Sequence, residues 1–467
     1  MRNTKEFLSW IIKTARKHGG EAAEVVFTKH RALLKRVHYG NIHQNPAGES
    51  YAVNLGIIKK GRYLSDSFTD ITPASIEKRI AQMMARVRYL PEAMELPALV
   101  PKNAISVANL NTSGFDKETA ELKSKNATRV LVTLKELLEK EKIVFSGKMV
   151  MGENETWFAN SNGVILSQKS SGAILTCYGW RDPYQKPETS SYAASGGTSY
   201  QEIEVKRVAE EIIRKHHLQK GKKRLLIVGP GEEAHFDVIL EPYALAPMMG
   251  FLGSFSFNGL NYLRGISVFS GKLNEEVTGK KFSLFDDPLS YAPQPFDFEG
   301  YPRNKTALIE QGVLRGLATD STLARLLKQE HTAHALPPTA RFSGATPSHI
   351  VMEISGKAIS LEEMVETADA PTIWITKTHY LHMPHFQTAE MTGTTQHGVF
   401  LIDRGKINPI YNLRFKQKMF EAFSRIESAG PVTRTYDAWD EGGFAPFFLP
   451  TLKIKNFKFL GGTSLEK

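Results

Sequence analysis

The residues that first suggest chemistry are histidines that lie close together in the chain. They form two groups: His379, His382 and His385 in THYLHMPHF, and His331 and His334 in EHTAHAL. Imidazoles three residues apart can share a metal ion where the segment is helical, because they then lie on one face. Pro384 opposes a helix in the first group, and in a strand His379 and His382 point to opposite faces. A metal site at residues 379–385 is thus an alternative to an ordinary histidine-rich loop.

Other motifs that support catalysis are absent from the sequence. There is no GxGxxG entering a helix, no GxxxxGK[ST] phosphate loop, no GxSxG nucleophile elbow and no HExxH. The one cysteine, Cys177, lies in the apolar run AILTCYGW. With no neighbour that would lower its pKa, it is predicted to be a small buried side chain and not a nucleophile. A lone cysteine forms no internal disulfide and indicates a reducing compartment.

Composition and charge indicate a globular protein with a solvated basic surface. Of 467 residues, 41% are hydrophobic and 23% are charged, which excludes wholesale disorder. The net charge of +10 comes from scattered lysines and arginines, without the basic arm or patch of a nucleic-acid-binding protein. No apolar run approaches the roughly 18 residues of a membrane span, and the first residues lack a signal-peptide pattern. We therefore expect a cytoplasmic protein.

The first 115 residues predict a small α+β layer followed by a linker. A helix begins at Asn3 or Thr4 and ends at Gly19-Gly20, with its apolar residues on one face. Extended runs follow at residues 21–27, 32–40 and 51–58. A second helix begins at Thr72-Pro73, a cap followed by a proline in the first turn. The proline-bearing stretch from 91 to 115 predicts the linker.

The remaining sequence predicts a middle segment (116–223) and a larger β-rich domain (224–467). The middle segment should contain a helix at 116–142, a hairpin turning at Asn162-Gly163, a loop at 178–200 and a helix at 202–217. The last domain should begin with two buried strands, RLLIVG and FDVIL, followed by an apolar helix from Pro242 to about Phe257. Short helices are expected near 321–328, 360–367 and 416–428. The predicted fold class is α+β.

An ordered series of segments in the C-terminal half resembles the TldD/PmbA family, whose members are known as modulators of DNA gyrase or TldD/TldE metalloproteases. The segments are DVILEPYALAPMMGFLGSFSF, FDDPLS, FDFEGYPRNKTALIEQGVLRGLATDSTLARLL, ATPSHIVME and TGTTQHGVFLIDRGKINPIYNLRF. The N-terminal helix–strand–helix segment and WFANSNG fit the same family. The resemblance covers essentially the whole chain and implies the family's fold.

The resemblance also identifies a departure from the family's zinc motif. The TldD kind of subunit takes its zinc ligands from HExxxH and a cysteine near the C-terminus, and the TldE/PmbA kind lacks them. Here Gly250 and Phe251 stand where His-Glu would be, and Phe255 stands where the second His would be. No cysteine precedes LPTLKIKNFKF. Glycine and phenylalanine cannot ligate zinc. The resemblance therefore implies a TldE/PmbA-like chain with no catalytic residue or cofactor of its own, and zinc in a TldD-like partner.

Three functions follow as hypotheses. The favoured one is a non-catalytic subunit of a TldD/TldE-type zinc metallopeptidase acting on peptides or unfolded proteins, paired with a TldD-like homologous subunit or with a second copy as a homodimer. The first alternative is a free-standing metal-dependent hydrolase using the histidines at 379–385. The second is a nucleic-acid-linked regulator of gyrase, prompted by the charge and the family name; no helix-turn-helix, zinc finger or RNP motif supports it.

Five polar or aromatic residues are candidates for lining a substrate cavity: Trp157, Asn160, Asn162, Arg341 and Arg414. The first three flank a predicted hairpin turn, and the two arginines follow a Pro-Pro turn and lie in the NLRF run. Each has a structural alternative. Turn geometry accounts for Asn162-Gly163, and ion pairs would account for both arginines.

Overall fold

The N-terminal half of the chain forms one antiparallel sheet with helices packed on it. The computed structural model describes residues 3–104, 114–180, 190–436 and 445–461. The elements of this half are α1 (Thr4–Lys17), β1 (Ala22–His38), β2 (Asn41–Gln44), β3 (Ala47–Lys59), β4 (Arg62–Phe68), α2 (Pro73–Arg86), α3 (Lys117–Ala120), α4 (Ser124–Glu139), β5 (Val144–Asn160), β6 (Ile165–Trp180), β7 (Ser191–Gly197) and α5 (Val205–Gln219). Within these ranges the strand order is β4–β3–β1–β5–β6–β7, and β2 pairs with the end of β1.

Local sequence explains why the first helices form where they do. The Asn3 side chain caps α1 by accepting a hydrogen bond from the Lys5 N–H, and Pro73 occupies the first turn of α2. The apolar faces of both helices pack on one side of the sheet in a single core cluster with β1, β3 and β4. The predicted helix–strands–helix order of the first 90 residues is confirmed.

Some predicted elements differ from the structure. The runs at 21–27 and 32–40 form one long strand, β1, because it pairs continuously with both β3 and β5. Within the predicted loop at 178–200, residues 191–197 form β7, and residues 181–189 lie outside the described part. The glycines of β7 suit a crowded strand, because a Cβ on Gly196 would lie 2.4 Å from the Tyr436 ring.

The C-terminal half contains two further sheets around α6. Its elements are β8 (Glu233–Leu240), α6 (Pro242–Ser256), α7 (Gly259–Leu263), β9 (Phe282–Asp286), β10 (Thr306–Glu310), β11 (Val313–Leu314), α8 (Ser321–Leu327), β12 (Ile350–Ile354), α9 (Leu361–Glu366), β13 (Thr372–His385), β14 (Glu390–Asp403), β15 (Lys406–Pro409), β16 (Arg414–Lys418), α10 (Met419–Phe423), β17 (Ile426–Ala429), β18 (Thr433–Thr435), β19 (Phe447–Leu449) and β20 (Leu452–Leu460). One sheet has the order β11–β10–β9–β12–β19–β18 in the described residues.

The other sheet of this half closes on itself. Its order is β13–β8–β20–β16–β14–β15 among the described strands, and β13 also pairs with β14. The largest core cluster joins α6 to strands of both sheets, so this helix is held on several sides by apolar contacts. Two predictions are wrong here. RLLIVG forms a single bridge, Leu225 to Ile410, in place of a strand. The region 416–428 holds only the short α10 between β16 and β17, because its apolar residues pack on the core from strands as well as from a helix.

The predicted segments 1–115 and 116–223 contribute strands to the same sheet, since β1 of the first segment pairs along its length with β5 of the second. The boundary near residue 223 stays a prediction. In the described parts of the chain, no helix combines the length and the apolar character needed to cross a membrane.

Candidate functional site

The helix α6 carries Gly250, Phe251 and Phe255, where the resemblance predicts the family's zinc motif. Its buried side consists of core residues such as Leu245, Met249 and Leu252. Gly250, Phe251 and Phe255 lie on the less buried side. The Phe255 ring stacks on Phe386, with centroids 4.4 Å apart and planes 9° apart, and Phe251 stacks on Phe255 at 6.1 Å. An aromatic stack thus occupies the face where metal ligands would be needed.

Crowding does not explain the glycine in this helix. A Cβ on Gly250 would have its nearest neighbour, the Phe447 ring, at 3.8 Å, an ordinary contact distance. The helix is packed in the core, and the residues at 250, 251 and 255 offer no imidazole or carboxylate that could bind zinc.

The histidines at 379–385 lie on β13, which pairs with β14 irregularly at these positions. His379 is half-buried, and His382 and His385 are exposed. Burial, followed by the Lys377 charge, lowers the pKa of His379. The group of His, Cys, Asp and Glu side chains whose ligand atoms converge within 4.8 Å, among the described residues, lies elsewhere, at Asp297, Glu299 and His331. The structure does not bring the three strand histidines into such a group.

The group at Asp297, Glu299 and His331 is held by backbone and side-chain hydrogen bonds. Asp297 Oδ1 accepts from the backbone N–H groups of Glu299 and Tyr301, and its Oδ2 accepts from the Ala335 N–H at 3.1 Å. The Glu299 carboxylate accepts from the backbone N–H and the hydroxyl of Ser321, each at 2.9 Å. His331 Nε2 lies 3.9 Å from Asp297 Oδ2 and 3.7 Å from Glu299 Oε2.

Arg341 connects this group to the N-terminal sheet. It lies in a short 3₁₀ helix, Pro338–Ser343, and its side chain is 7% exposed. It donates two hydrogen bonds to the Glu24 carboxylate of β1 and one to the Phe298 carbonyl. Its Nη1 also lies 3.6 Å from Glu299 Oε1. The predicted cavity residue Arg341 is thus part of a buried ion network between the two halves.

Burial and charge set the ionisation of this network. Burial, and then the Glu299 carboxylate, raise the pKa of Asp297 to about 7. Burial opposes ionisation of Glu299 as well, but Arg341 and His331 hold its pKa below the usual value. Burial and Glu299 raise the pKa of Asp320, the N-cap of α8, to about 6. The carboxyl groups around Glu299 therefore have few cationic partners that could stabilise their ionised forms.

The other cavity candidates have contacts of their own. The Asn160 and Asn162 side chains donate to the carbonyls of Val100 and Leu99, each at 2.9 Å, and so fasten the segment before residue 105 to the hairpin turn. Trp157 donates to Glu155, and Arg414 is exposed on β16, where it contacts Thr392. None of the hydrogen bonds described for residues 3–104, 114–180, 190–436 and 445–461 joins these four side chains to Arg341.

Sequence reasoning missed a second buried ion network, which joins α5 to the start of α6. The Lys215 ammonium is fully buried and donates to Glu241, to Glu211 and to the Tyr192 carbonyl. Trp374 donates to the other Glu241 oxygen at 2.7 Å. One signal was available: Lys215 follows Val208 and Ile212 on the apolar face of a helix, where a lysine needs buried partners.

A third network surrounds Asp286, the last residue of β9. Its carboxylate accepts from Arg303, His334 and the backbone N–H groups of Ser348 and His349. These donors hold its pKa below the usual value in spite of its burial. His331 and His334 therefore belong to two different networks, the first around Glu299 and the second around Asp286.

His349 makes the stability of the fold dependent on pH. Burial, followed by the Arg303 charge, lowers the pKa of His349 to about 4. An unfolded histidine titrates near 6.5, so the unfolded chain binds a proton between pH 6.5 and pH 4 that the native chain does not. Stability is lost as the pH falls through this window, by about 2 kcal/mol between pH 7 and pH 4.5. His349→Gln should reduce the loss between the two pH values by about this amount, measured by urea denaturation, while His334 and His397, whose pKa values burial also lowers, keep their own contribution.

The exposed His382 provides the control for this titration. His382→Gln should leave the difference between the two pH values as in the wild type, since an exposed side chain gains nothing from folding. An H349Q chain that still loses stability as steeply as the wild type would show that other groups govern this window.

Comparisons with known proteins agree with this architecture. Residues 233–461 match the family model described as the PmbA/TldA metallopeptidase C-terminal domain. The structure is similar to the crystal structure of TldE from Thermococcus kodakarensis, with a TM-score of 0.81, 18% identity, and coverage of 97% of this chain and 100% of that one. It is also similar to a proposed modulator of a DNA gyrase from Thermotoga maritima, with a TM-score of 0.80, 15% identity, and coverage of 98% and 100%. These similarities show the fold.

Relatives in sequence include archaeal proteins. An uncharacterized protein of Methanocaldococcus jannaschii is 23% identical over 423 residues, which span 89% of this chain and 93% of that protein. A metalloprotease of Methanothermobacter thermautotrophicus is 28% identical over 187 residues, 39% of this chain and 40% of that protein. The fold and the C-terminal domain are those of the PmbA/TldD metallopeptidase-like proteins. The C-terminal domain, residues 233–461, belongs to the TldD/PmbA family, which confirms the resemblance, and the similar solved structures confirm the predicted α+β architecture.

Proposed function

We propose that this chain is a non-catalytic, TldE/PmbA-like subunit of a zinc metallopeptidase that acts on peptides or unfolded proteins. The observation that carries the proposal is the state of α6. The helix is held in the core as a zinc-binding helix would have to be, yet Gly250, Phe251 and the stacked Phe255 supply no ligand. A chain that keeps the scaffold without the ligands is suited to complete or stabilise a metal-bearing subunit.

The partner in this proposal is a TldD-like homologous subunit that carries HExxxH and the zinc; a second copy of this chain is the alternative partner. The zinc would act in the partner, as a Lewis acid and a source of activated water. This chain would contribute binding surface and stability, and a cytoplasmic location is part of the proposal. It names no catalytic residue in this chain.

Co-expression with an HExxxH-bearing relative from the same genome tests the pairing. We expect the two chains to co-purify in equal amounts through an affinity tag placed on either one. Hydrolysis of an unfolded protein by the relative should rise when this chain is added. A relative that neither binds this chain nor changes its activity in its presence would contradict the proposal, and a tagged, unrelated protein of similar charge serves as the control.

A further inference from the structure

A buried excess of negative charge lies where the N-terminal sheet meets the C-terminal half. Glu24, Asp297, Glu299 and Asp320 are each 5% exposed or less. The guanidinium that faces them is Arg341, bonded to Glu24 and 3.6 Å from Glu299. Buried carboxylates that lack a counter-charge are costly, and they are tolerated when they are paired or bound to a metal ion.

The ligand atoms at the centre of this region retain free lone pairs. Asp297 Oδ2 accepts one hydrogen bond, from Ala335, and Glu299 Oε2 accepts one, from the Ser321 N–H. A carboxylate oxygen has two lone pairs, so each keeps one for a further partner. His331 Nε2 is buried and has no hydrogen-bond partner in the described structure. These three atoms all lie within 4.8 Å of one another.

We propose that Asp297, Glu299 and His331 bind a divalent transition-metal cation, Zn²⁺ or Mn²⁺, which neutralises buried carboxylates beside the contact between the C-terminal half and the N-terminal sheet. Metal–ligand bonds of about 2.1 Å place neighbouring ligand atoms about 3.0–3.4 Å apart. The observed separations of 3.7 and 3.9 Å from His331 Nε2 would have to close by about 0.3–0.5 Å to reach the wider of these spacings and by about 0.7–0.9 Å to reach the narrower.

The donor set selects the class of cation. An imidazole nitrogen with two carboxylates suits zinc or manganese, whereas calcium and magnesium prefer sites built from oxygen alone. The His331 side chain is 22% exposed while its Nε2 atom is buried, so the ring lies between the surface and the proposed site. Tyr301 packs edge-on against the His331 ring at 4.4 Å and fixes its orientation.

This site is separate from the position of the family's zinc motif on α6, and it differs from the expectation that the chain holds no metal. Its role here is structural. Glu299 binds the cation through one oxygen and faces Arg341 with the other, and Arg341 in turn holds Glu24 of β1. The cation would therefore neutralise the carboxylates at the contact between the two halves.

Metal uptake by the full chain tests the proposal without any activity assay. The protein is stripped with a chelator, dialysed against Zn²⁺ or Mn²⁺, freed of excess metal and measured by elemental analysis. We expect about one equivalent per wild-type chain and a melting temperature that rises with metal concentration. His331→Phe, which keeps the ring but removes the ligand, should lower the affinity about tenfold or more. The double variant His382→Ala, His385→Ala should take up metal as the wild type does.

A measurement on the wild type guards against variants that fail to fold. X-ray absorption at the metal edge should show one imidazole and oxygen neighbours, with no sulfur. Uptake below about 0.1 equivalent would overturn the proposal. Undiminished uptake by H331F, or uptake lost in the His382 and His385 variant, would overturn it in favour of another site.

Discussion

Replacing Arg341 with methionine is expected to lower the free energy of unfolding by about 3–5 kcal/mol, because it leaves buried carboxylates without their counter-ion. Glu24 is 1% exposed and would keep one side-chain donor, the Tyr63 hydroxyl at 2.8 Å. The Phe298 carbonyl would lose its guanidinium donor as well. Urea denaturation of the full chain at pH 7 measures the effect, and the N-terminal sheet should lose its fixed contact with the 3₁₀ helix at Pro338–Ser343.

Arg414 offers a matched control, since it is an exposed arginine that donates a hydrogen bond to the uncharged Thr392 side chain. Arg414→Met should change stability by less than about 0.5 kcal/mol. Adding Glu24→Gln to Arg341→Met should recover part of the loss, because the glutamine removes the unpaired buried charge. If the unfolding free energies of R341M and R414M differ by less than about 1 kcal/mol, the ion network between the two halves contributes little to stability.

Lys215→Met should have an effect of similar size, about 3–5 kcal/mol. All three protons of the Lys215 ammonium are used, on Glu211, Glu241 and the Tyr192 carbonyl. Its removal would leave Glu241 buried, with the Trp374 N–H as the remaining side-chain donor. Burial already raises the pKa of Glu241 despite the lysine, so the variant should take up a proton at that carboxyl or lose the contact between α5 and α6.

Lys206 lies on the same helix and is exposed, so Lys206→Met controls for the loss of a lysine from α5. It should change the unfolding free energy by less than about 0.5 kcal/mol. Equal melting temperatures for K215M and K206M would show that the buried lysine is dispensable to the fold.

Local patterns in the sequence were sufficient to predict some of the helices and one hairpin turn. Helix caps and periodic apolar residues predicted α1 and α2, and Asn162-Gly163 marked the turn between β5 and β6. Residues 191–197 show where such patterns fail. Small residues and glycines predict a loop, but here they form a strand because they pair with β6. Its neighbours leave no room for larger side chains, since a Cβ on Gly197 would lie 2.6 Å from Glu202.

Some features of the candidate sites are likewise visible in the sequence, and others are not. The departure at Gly250, Phe251 and Phe255 is visible in the sequence because it falls at fixed spacing within one helix. The ion networks are not visible, since tertiary structure assembles them from distant segments: Glu24 and Arg341 are separated by 317 positions. His331 was noted only beside His334, its neighbour in sequence, while its partners in space are Asp297 and Glu299.

The most direct test of the central claim is the hydrolysis of an unfolded protein by this chain and its HExxxH-bearing relative, alone and mixed. We predict no hydrolysis by this chain alone. Activity of the mixture should be abolished by replacing the first histidine of the relative's motif with alanine, and it should be unchanged by His382→Ala and His385→Ala in this chain. Hydrolysis by this chain alone that is lost on His382→Ala would contradict the account and show that the chain carries its own catalytic metal site.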